Sequence, residues 1–322
     1  MGMQFWDEFW EPRFWVNDNH PPFSFPQPHQ SDHYHKFLGA FVDETSIDDD
    51  NTTITAWIKS KPINSIVYGA FGSTSIIPYD RMNNLMSGLA MFLLQIETSF
   101  LMLAFRSINY ETYKAVLTNL TNDQYRQVLE NKERVWIEHG FVKQKWILQQ
   151  TRVKTFLSHC GVGSSLEGLY FEKSILCMPF NMDQFMNGFS IAKLNVGQTL
   201  FTRPPLLQAF LSLGDYTKYT FTLDSVTNKL MSMWTNITYE KAVKRISLEM
   251  KHAGGVKRAV EEIEFFVKLD GNLDHFVSFQ NTLIFYQRSC LDLLLIFVIL
   301  PMLITGYVVL KCCRRRRKVK TD

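Results

Sequence analysis

Residues 141–185 read FVKQKWILQQTRVKTFLSHCGVGSSLEGLYFEKSILCMPFNMDQF. VKTFLS (153–158) and SILCMPF (174–180) are short apolar runs, and each precedes a stretch of helical spacing, 164–171 and 183–194. Strand and helix in that alternation predict a parallel sheet with helices on both faces. The same stretch concentrates chemistry. Phe141 offers a flat ring and Gln144 an amide. His159, Cys160, Gly161, Val162, Gly163 and Ser164 form a glycine turn opening a helix, whose first N–H groups favour an anion. Glu167 lies one turn into that helix, and Asp183 and Gln184 follow the next strand. A stacked base, a diphosphate met by N–H groups and a donor side chain, and acceptors for ribose and hexose hydroxyls are what a nucleotide sugar requires.

Working outward, NSIVYGAF (64–71) predicts a buried strand that ends at Gly72 and Ser73. A helix follows over 79–97, then a strand FLMLAF (100–105), a strand RVWIEHG (134–140), a helix near 144–150 and a last strand GQTLF (197–201). Residues 85–105 approach the apolarity of a membrane span, but Gln95 and Glu97-Thr98-Ser99 divide them into helix, turn and strand. Ligands of such sheets bind at the carboxyl ends of the strands. Ser73, Phe141, Gln144, the turn from His159 to Ser164, and Asp183 all fall there. Beyond residue 220, three segments with apolar residues at three- and four-residue steps predict helices packing back onto the sheet. Residues 1–60 read as a connector: NDNHPPFSFPQPHQSDHYH (17–35) has no period of either kind. His33 and His35 fit solvated loop residues better than ligands, and no metal motif occurs.

The C-terminus carries a second signal. LDLLLIFVILPMLITGYVVL (291–310) is almost wholly apolar and long enough to span a bilayer as a helix. KCCRRRRKVKTD follows at once, and a basic cluster abutting an apolar span marks the cytoplasmic side. The formal charge is +3, but residues 311–322 contribute +6, leaving −3 for the rest. A mildly acidic folded part argues against a nucleic-acid groove, and the basic tail suits anionic lipid headgroups. Lys318 and Lys320 resemble a dilysine retrieval signal.

Five cysteines at scattered spacing make no disulfide framework and no zinc pattern. Cys160 and Cys177 are expected as buried thiols. Cys312 and Cys313 fit acylation and unmodified thiols equally. Asn51, Asn119 and Asn236 each begin a glycosylation triplet. MGMQFWDEFWEPRFW at the start lacks the basic opening and continuous apolar core of a secretory signal. With a cytoplasmic tail, everything before residue 290 is luminal. The expectation is therefore that the chain lacks its natural beginning.

From about residue 17 onward the chain resembles the C-terminal half of membrane-bound UDP-glycosyltransferases of the glucuronosyltransferase kind. The resemblance rests on the aromatic-x-x-Gln element at Phe141 and Gln144, the turn at His159, and the pair Asp183-Gln184. The NDNHPPFSFPQP linker and the YQRSCLDLLL entry to the apolar span extend it. It implies the Rossmann-like, donor-binding domain of the GT-B architecture over 61–286, preceded by an N-terminal remnant and interdomain linker. A transmembrane helix over 290–310 and a basic tail over 311–322 would follow. It implies transfer of glucose or glucuronate from a UDP-sugar to a small lipophilic acceptor, without metal or cofactor, in the endoplasmic-reticulum membrane.

By that resemblance Phe141 stacks uracil in place of the usual Trp, and Gln144 reads the uracil edge or ribose. Ser73 and the backbone of Gly161, Gly163 and Ser164 approach the phosphates, and His159 donates to the diphosphate. Glu167 accepts from ribose, while Asp183 and Gln184 hold the sugar hydroxyls. Gly163 replaces an Asn, Lys143 a proline and Thr155 an apolar residue. The family's base, a histidine supported by an aspartate, belongs to an N-terminal domain with no counterpart before residue 60. The alternative is a non-catalytic, membrane-tethered UDP-sugar-binding or regulatory subunit, as one member of a homo- or hetero-oligomer.

Overall fold

The computed structural model describes residues 15–17, 35–42, 52–73, 75–180, 182–201, 221–270, 284–288 and 291–318. Its centre is a six-stranded parallel sheet: β1 (Ile66–Ala70), β2 (Phe100–Phe105), β3 (Val135–His139), β4 (Val153–Ser158), β5 (Ser174–Cys177) and β6 (Gly197–Thr199). The spatial order is β3-β2-β1-β4-β5-β6, and every pairing is parallel. This doubly wound order reverses direction between β1 and β4, the crevice where such sheets bind ligands.

Side-chain alternation divides the core. Ile66, Tyr68 and Ala70 of β1 join Val153 and Phe156 of β4 on one face. There they meet α1 (Thr53–Lys59), through Trp57 and Ile58, and α5 (Gln144–Gln149), through Trp146, Ile147 and Leu148. Val67 and Leu157 point to the other face, against Met82, Leu85, Met86 and Leu89 of α2 (Tyr79–Gln95). Helices α3 (Ser107–Asn119) and α4 (Asp123–Glu130) complete that face and went unread in the sequence. Helix α6 (Val162–Tyr170) follows β4, and α7 (Met182–Lys193) follows β5.

Of the three late helices, α8 (Leu223–Thr235) seats against α2. Thr227 Oγ1 donates to the Gly88 carbonyl at 2.9 Å, and a Cβ on Gly88 would meet Val226 at 2.6 Å. Helix α9 (Ile237–Ala253) packs Val243, Ile246 and Met250 into the cluster that holds Leu166 and Leu169 of α6. Helix α10 (Gly255–Lys268) departs from the expectation. It buries Ala259 and Glu262, the latter ion-paired to Arg258 at 2.7 Å, while Val256, Val260, Ile263 and Val267 remain exposed.

Residues 1–60 are also more than a connector. Short strands occur at Trp15–Asn17 and His35–Phe37, and α1 is a packed element whose Thr52 side chain caps it. The strands at 174–180 and 197–201 are shorter than expected: β5 ends at Cys177 and β6 at Thr199.

The chain divides into two compact units, and residues 37–264 lie in the one that holds the sheet. In the other, Leu291–Leu294, Leu295–Ile299 and Leu300–Lys318 run on as one helix with π geometry in the middle. Pro301 lacks the N–H that would bond one turn back, which accounts for the irregular ladder there. Leu291–Lys311 is long and apolar enough to cross a membrane, and none of it is buried.

Asn119 and Asn236 are exposed. Asn119 Nδ2 donates to the Ala115 carbonyl, and Asn236 Oδ1 caps α9 at the Thr238 N–H. Asn51, Lys320 and the side chain of Lys318 lie outside the described residues.

Candidate functional site

The carboxyl ends of β1, β2 and β3 frame a cleft of about 570 Å³ lined by Gly72, Ser73, Phe141, Gln144 and Glu167, among others. That volume suits a small-molecule ligand. Phe141 is 85 % exposed, a flat apolar ring presented to solvent at the rim. Gln144 opens α5, and its Nε2 donates to Glu167 Oε2 at 2.7 Å and reaches Ser164 Oγ at 3.3 Å. Three positions spread over 23 residues of sequence thus meet at one point.

His159 lies at the reversal point. β1 and β4 are neighbours in the sheet with Ala70 opposite Ser158, so the residues just beyond them converge. The imidazole fits between two glycines. A Cβ on Gly72 would stand 2.9 Å from His159 Nε2, and one on Gly161 would stand 2.6 Å from it. Gly72 also has φ +72°, so both the turn and the ring require glycine there. Burial lowers the His159 pKa, and the Asp183 charge and the Ala70 carbonyl partly oppose it. Nδ1 is buried without a well-formed hydrogen bond. Burial therefore disfavours the charged imidazolium, and Nε2 sits beside the glycine turn.

Gly161 caps α6, whose first residues are Val162, Gly163 and Ser164. A Cβ on Gly163 would meet nothing within 4 Å, so the turn has room for the Asn that the resemblance leads one to expect. Asp183 is exposed in the first turn of α7. Gln184 differs: it is 6 % exposed, and its Oε1 accepts from the Phe180 N–H at 2.8 Å. That carbonyl is engaged in holding the loop before α7. Thr155, at a usually apolar position, is fully buried and bonds Ser174 Oγ at 3.1 Å.

Cys160 and Cys177 are buried, but they are not thiols. They form a disulfide with a Cα–Cα distance of 5.5 Å. Ser158 lies opposite Cys177 in the sheet, and Cys160, at φ +62°, turns back toward the β5 end. Sequence spacing could not show this, because the pairing depends on two strands being neighbours.

The sequence reading also missed Tyr68, Arg106 and Lys145, which line the cleft. Arg106 follows β2 directly, the one available signal. The Tyr68 hydroxyl is buried without a partner, and burial and the Glu167 charge raise its pKa. Among the described residues no three His, Cys, Asp or Glu side chains group to hold a metal.

Residues 11–321 match the family model for UDP-glucoronosyl and UDP-glucosyl transferase. The chain belongs to this UDP-glycosyltransferase family. It is 29 % identical over 163 residues to a flavanone 7-O-glucoside 2''-O-beta-L-rhamnosyltransferase of Citrus maxima, covering 51 % of this chain and 34 % of that one. It is 25 % identical over 192 residues to the putative UDP-glucuronosyltransferase ugt-50 of Caenorhabditis elegans, covering 59 % and 33 %. Among solved structures, Phytolacca americana UGT2 complexed with UDP-2fluoro-glucose and pterostilbene superposes with a TM-score of 0.57 at 15 % identity, covering 74 % of this chain and 48 % of that one. Os79 from O. sativa in complex with UDP gives 0.54 at 19 %, covering 73 % and 49 %. These likenesses establish the fold as that of GT-B UDP-glycosyltransferases. The match spans about a third of the length of these curated relatives and about half of the solved chains.

Proposed function

We propose that this UDP-glycosyltransferase chain binds the donor, a UDP-sugar carrying glucose or glucuronate, for transfer to a small lipophilic acceptor. The observation that carries the reading is the cleft at the carboxyl ends of β1, β2 and β3, where Phe141, Gln144, Glu167 and Ser73 line one cavity and His159 adjoins it through Gly72. Phe141 stacks the base. Glu167, already a hydrogen-bond acceptor for Gln144, takes ribose hydroxyls in its place. The His159 imidazole and the first N–H groups of α6 meet the diphosphate. Asp183, exposed at the start of α7, holds the hexose. No cofactor is required. Titration of the purified full chain in detergent with UDP, UDP-glucose and UDP-glucuronate tests the reading. Micromolar binding of UDP, with a preference for one sugar, is expected; absence of UDP binding rejects it.

The proposal extends to the membrane. Leu291–Lys311 anchors the chain as a single-pass type I protein of the endoplasmic reticulum, with Lys318 and Lys320 as its retrieval address. A buried disulfide at Cys160–Cys177 fits an oxidising, luminal compartment. None of the donor-site residues named above is assigned the role of the base that activates a hydroxyl acceptor. The purified chain alone should therefore show no transfer to a phenolic acceptor, and robust turnover would place a base among its own histidines.

A further inference from the structure

We infer that Asn187 is a positioning residue tying the diphosphate turn to the sugar-facing start of α7; this rests on the donor-site reading above. Asn187 lies one turn beyond Asp183 on α7 and is 5 % exposed. Its Nδ2 donates to the Cys160 carbonyl at 2.9 Å and lies 3.5 Å from Asp183 Oδ2. One amide group therefore touches the backbone between His159 and Gly161 and the carboxylate assigned to the hexose.

The turn needs such a tie. Cys160 holds a left-handed conformation at φ +62°, uncommon for a residue with a Cβ. Its N–H donates to Ser158 Oγ at 3.1 Å, and its sulfur is bonded to Cys177. Those contacts fix it to its own strand and to β5. Asn187 fixes it to α7, so Asp183 and the His159 turn keep a set separation. The two hydrogens of the amide nitrogen let it donate in both directions. A carboxylate of equal size donates nothing and places a second negative charge beside Asp183. The nucleoside end is carried by β3, α5 and α6, so its contacts do not run through Asn187.

Asn187→Asp and Asn187→Ala in the full chain, in detergent micelles, test this by calorimetric titration with UMP, UDP, UDP-glucose and UDP-glucuronate, alongside thermal melts. UMP affinity should stay within about twofold of the unsubstituted chain. Affinity for the bound UDP-sugar should fall about tenfold or more, the loss expected for a buried hydrogen bond with its partner left unpaired. UDP-sugar affinities unchanged in both variants would overturn the inference while leaving the donor site standing. So would a parallel loss for every ligand with a collapsed melting transition, which would make Asn187 a purely structural residue. If the unsubstituted chain binds none of the four ligands, the donor-site reading itself fails, and this inference with it.

Discussion

His159 is held by packing rather than by charge: two glycines admit its ring, and burial disfavours its charged form. Its assigned role is donation to an anionic oxygen. Replacing it with Ala should weaken UDP binding by about 1.5–3 kcal/mol, the range for a hydrogen bond to a charged group. An unchanged UDP dissociation constant in that variant would contradict the assignment. Lys173, away from the cleft, gives a stability test. It is 6 % exposed, donates to the Gln150 carbonyl at 3.0 Å, and burial lowers its pKa from 10.5 to about 8. Between those values the unfolded chain binds a proton that the native chain does not. Stability from this group is therefore fully present above pH 10.5, falls as pH drops toward 8, and is flat below. The corresponding cost of holding the charge at neutral pH is about 3 kcal/mol. Lys173→Met should raise the melting temperature at pH 7 and flatten its rise between pH 8 and pH 10, as followed by circular dichroism. A melting profile identical to that of the parent chain would refute this.

At the scale of elements, the β4–α6 turn is the piece most dependent on its neighbours. Its disulfide closes a loop with a sequence separation of 17, for which the chain-entropy model gives about 3 kcal/mol. Cys177→Ser should lower the melting temperature, and reductant should move the parent chain toward the variant. Equal melting of the two under oxidising conditions would show that the cross-link contributes nothing. Helix α10 behaves differently from α8 and α9. All three have helical apolar spacing, yet α10 turns Val256, Val260, Ile263 and Val267 to solvent. Periodicity identified the helix and one apolar stripe but not the side that would be covered, because covering depends on what lies opposite.

For the whole molecule, the proposed topology puts the sheet in the lumen and residues 312–322 in the cytosol, since seven basic residues lie in the segment 311–322 after the span. Protease added to intact microsomes should remove an epitope fused after Asp322 and spare the rest. Digestion of the sheet-bearing part would reverse the orientation. With the terminus untagged, replacing Lys318 and Lys320 with serine should release the protein toward the Golgi if they form an address.

The sequence by itself determined the sheet, because buried parallel strands must be short apolar runs and their connections must be helical. It also placed Ser73, Phe141, Gln144, His159, Glu167 and Asp183 at strand ends or helix starts, since a doubly wound sheet puts its turns there. A helix long and apolar enough to span a bilayer was equally legible, as composition alone decides it. The tertiary structure decided what depends on which strands are neighbours. It paired Cys160 with Cys177, brought Gln144 onto Glu167, and seated His159 between Gly72 and Gly161. It also set Asn187 between the turn and Asp183, and added Tyr68 and Arg106 to the cleft. These contacts join residues from different elements, and a linear pattern records the period of each element but not the distances between them.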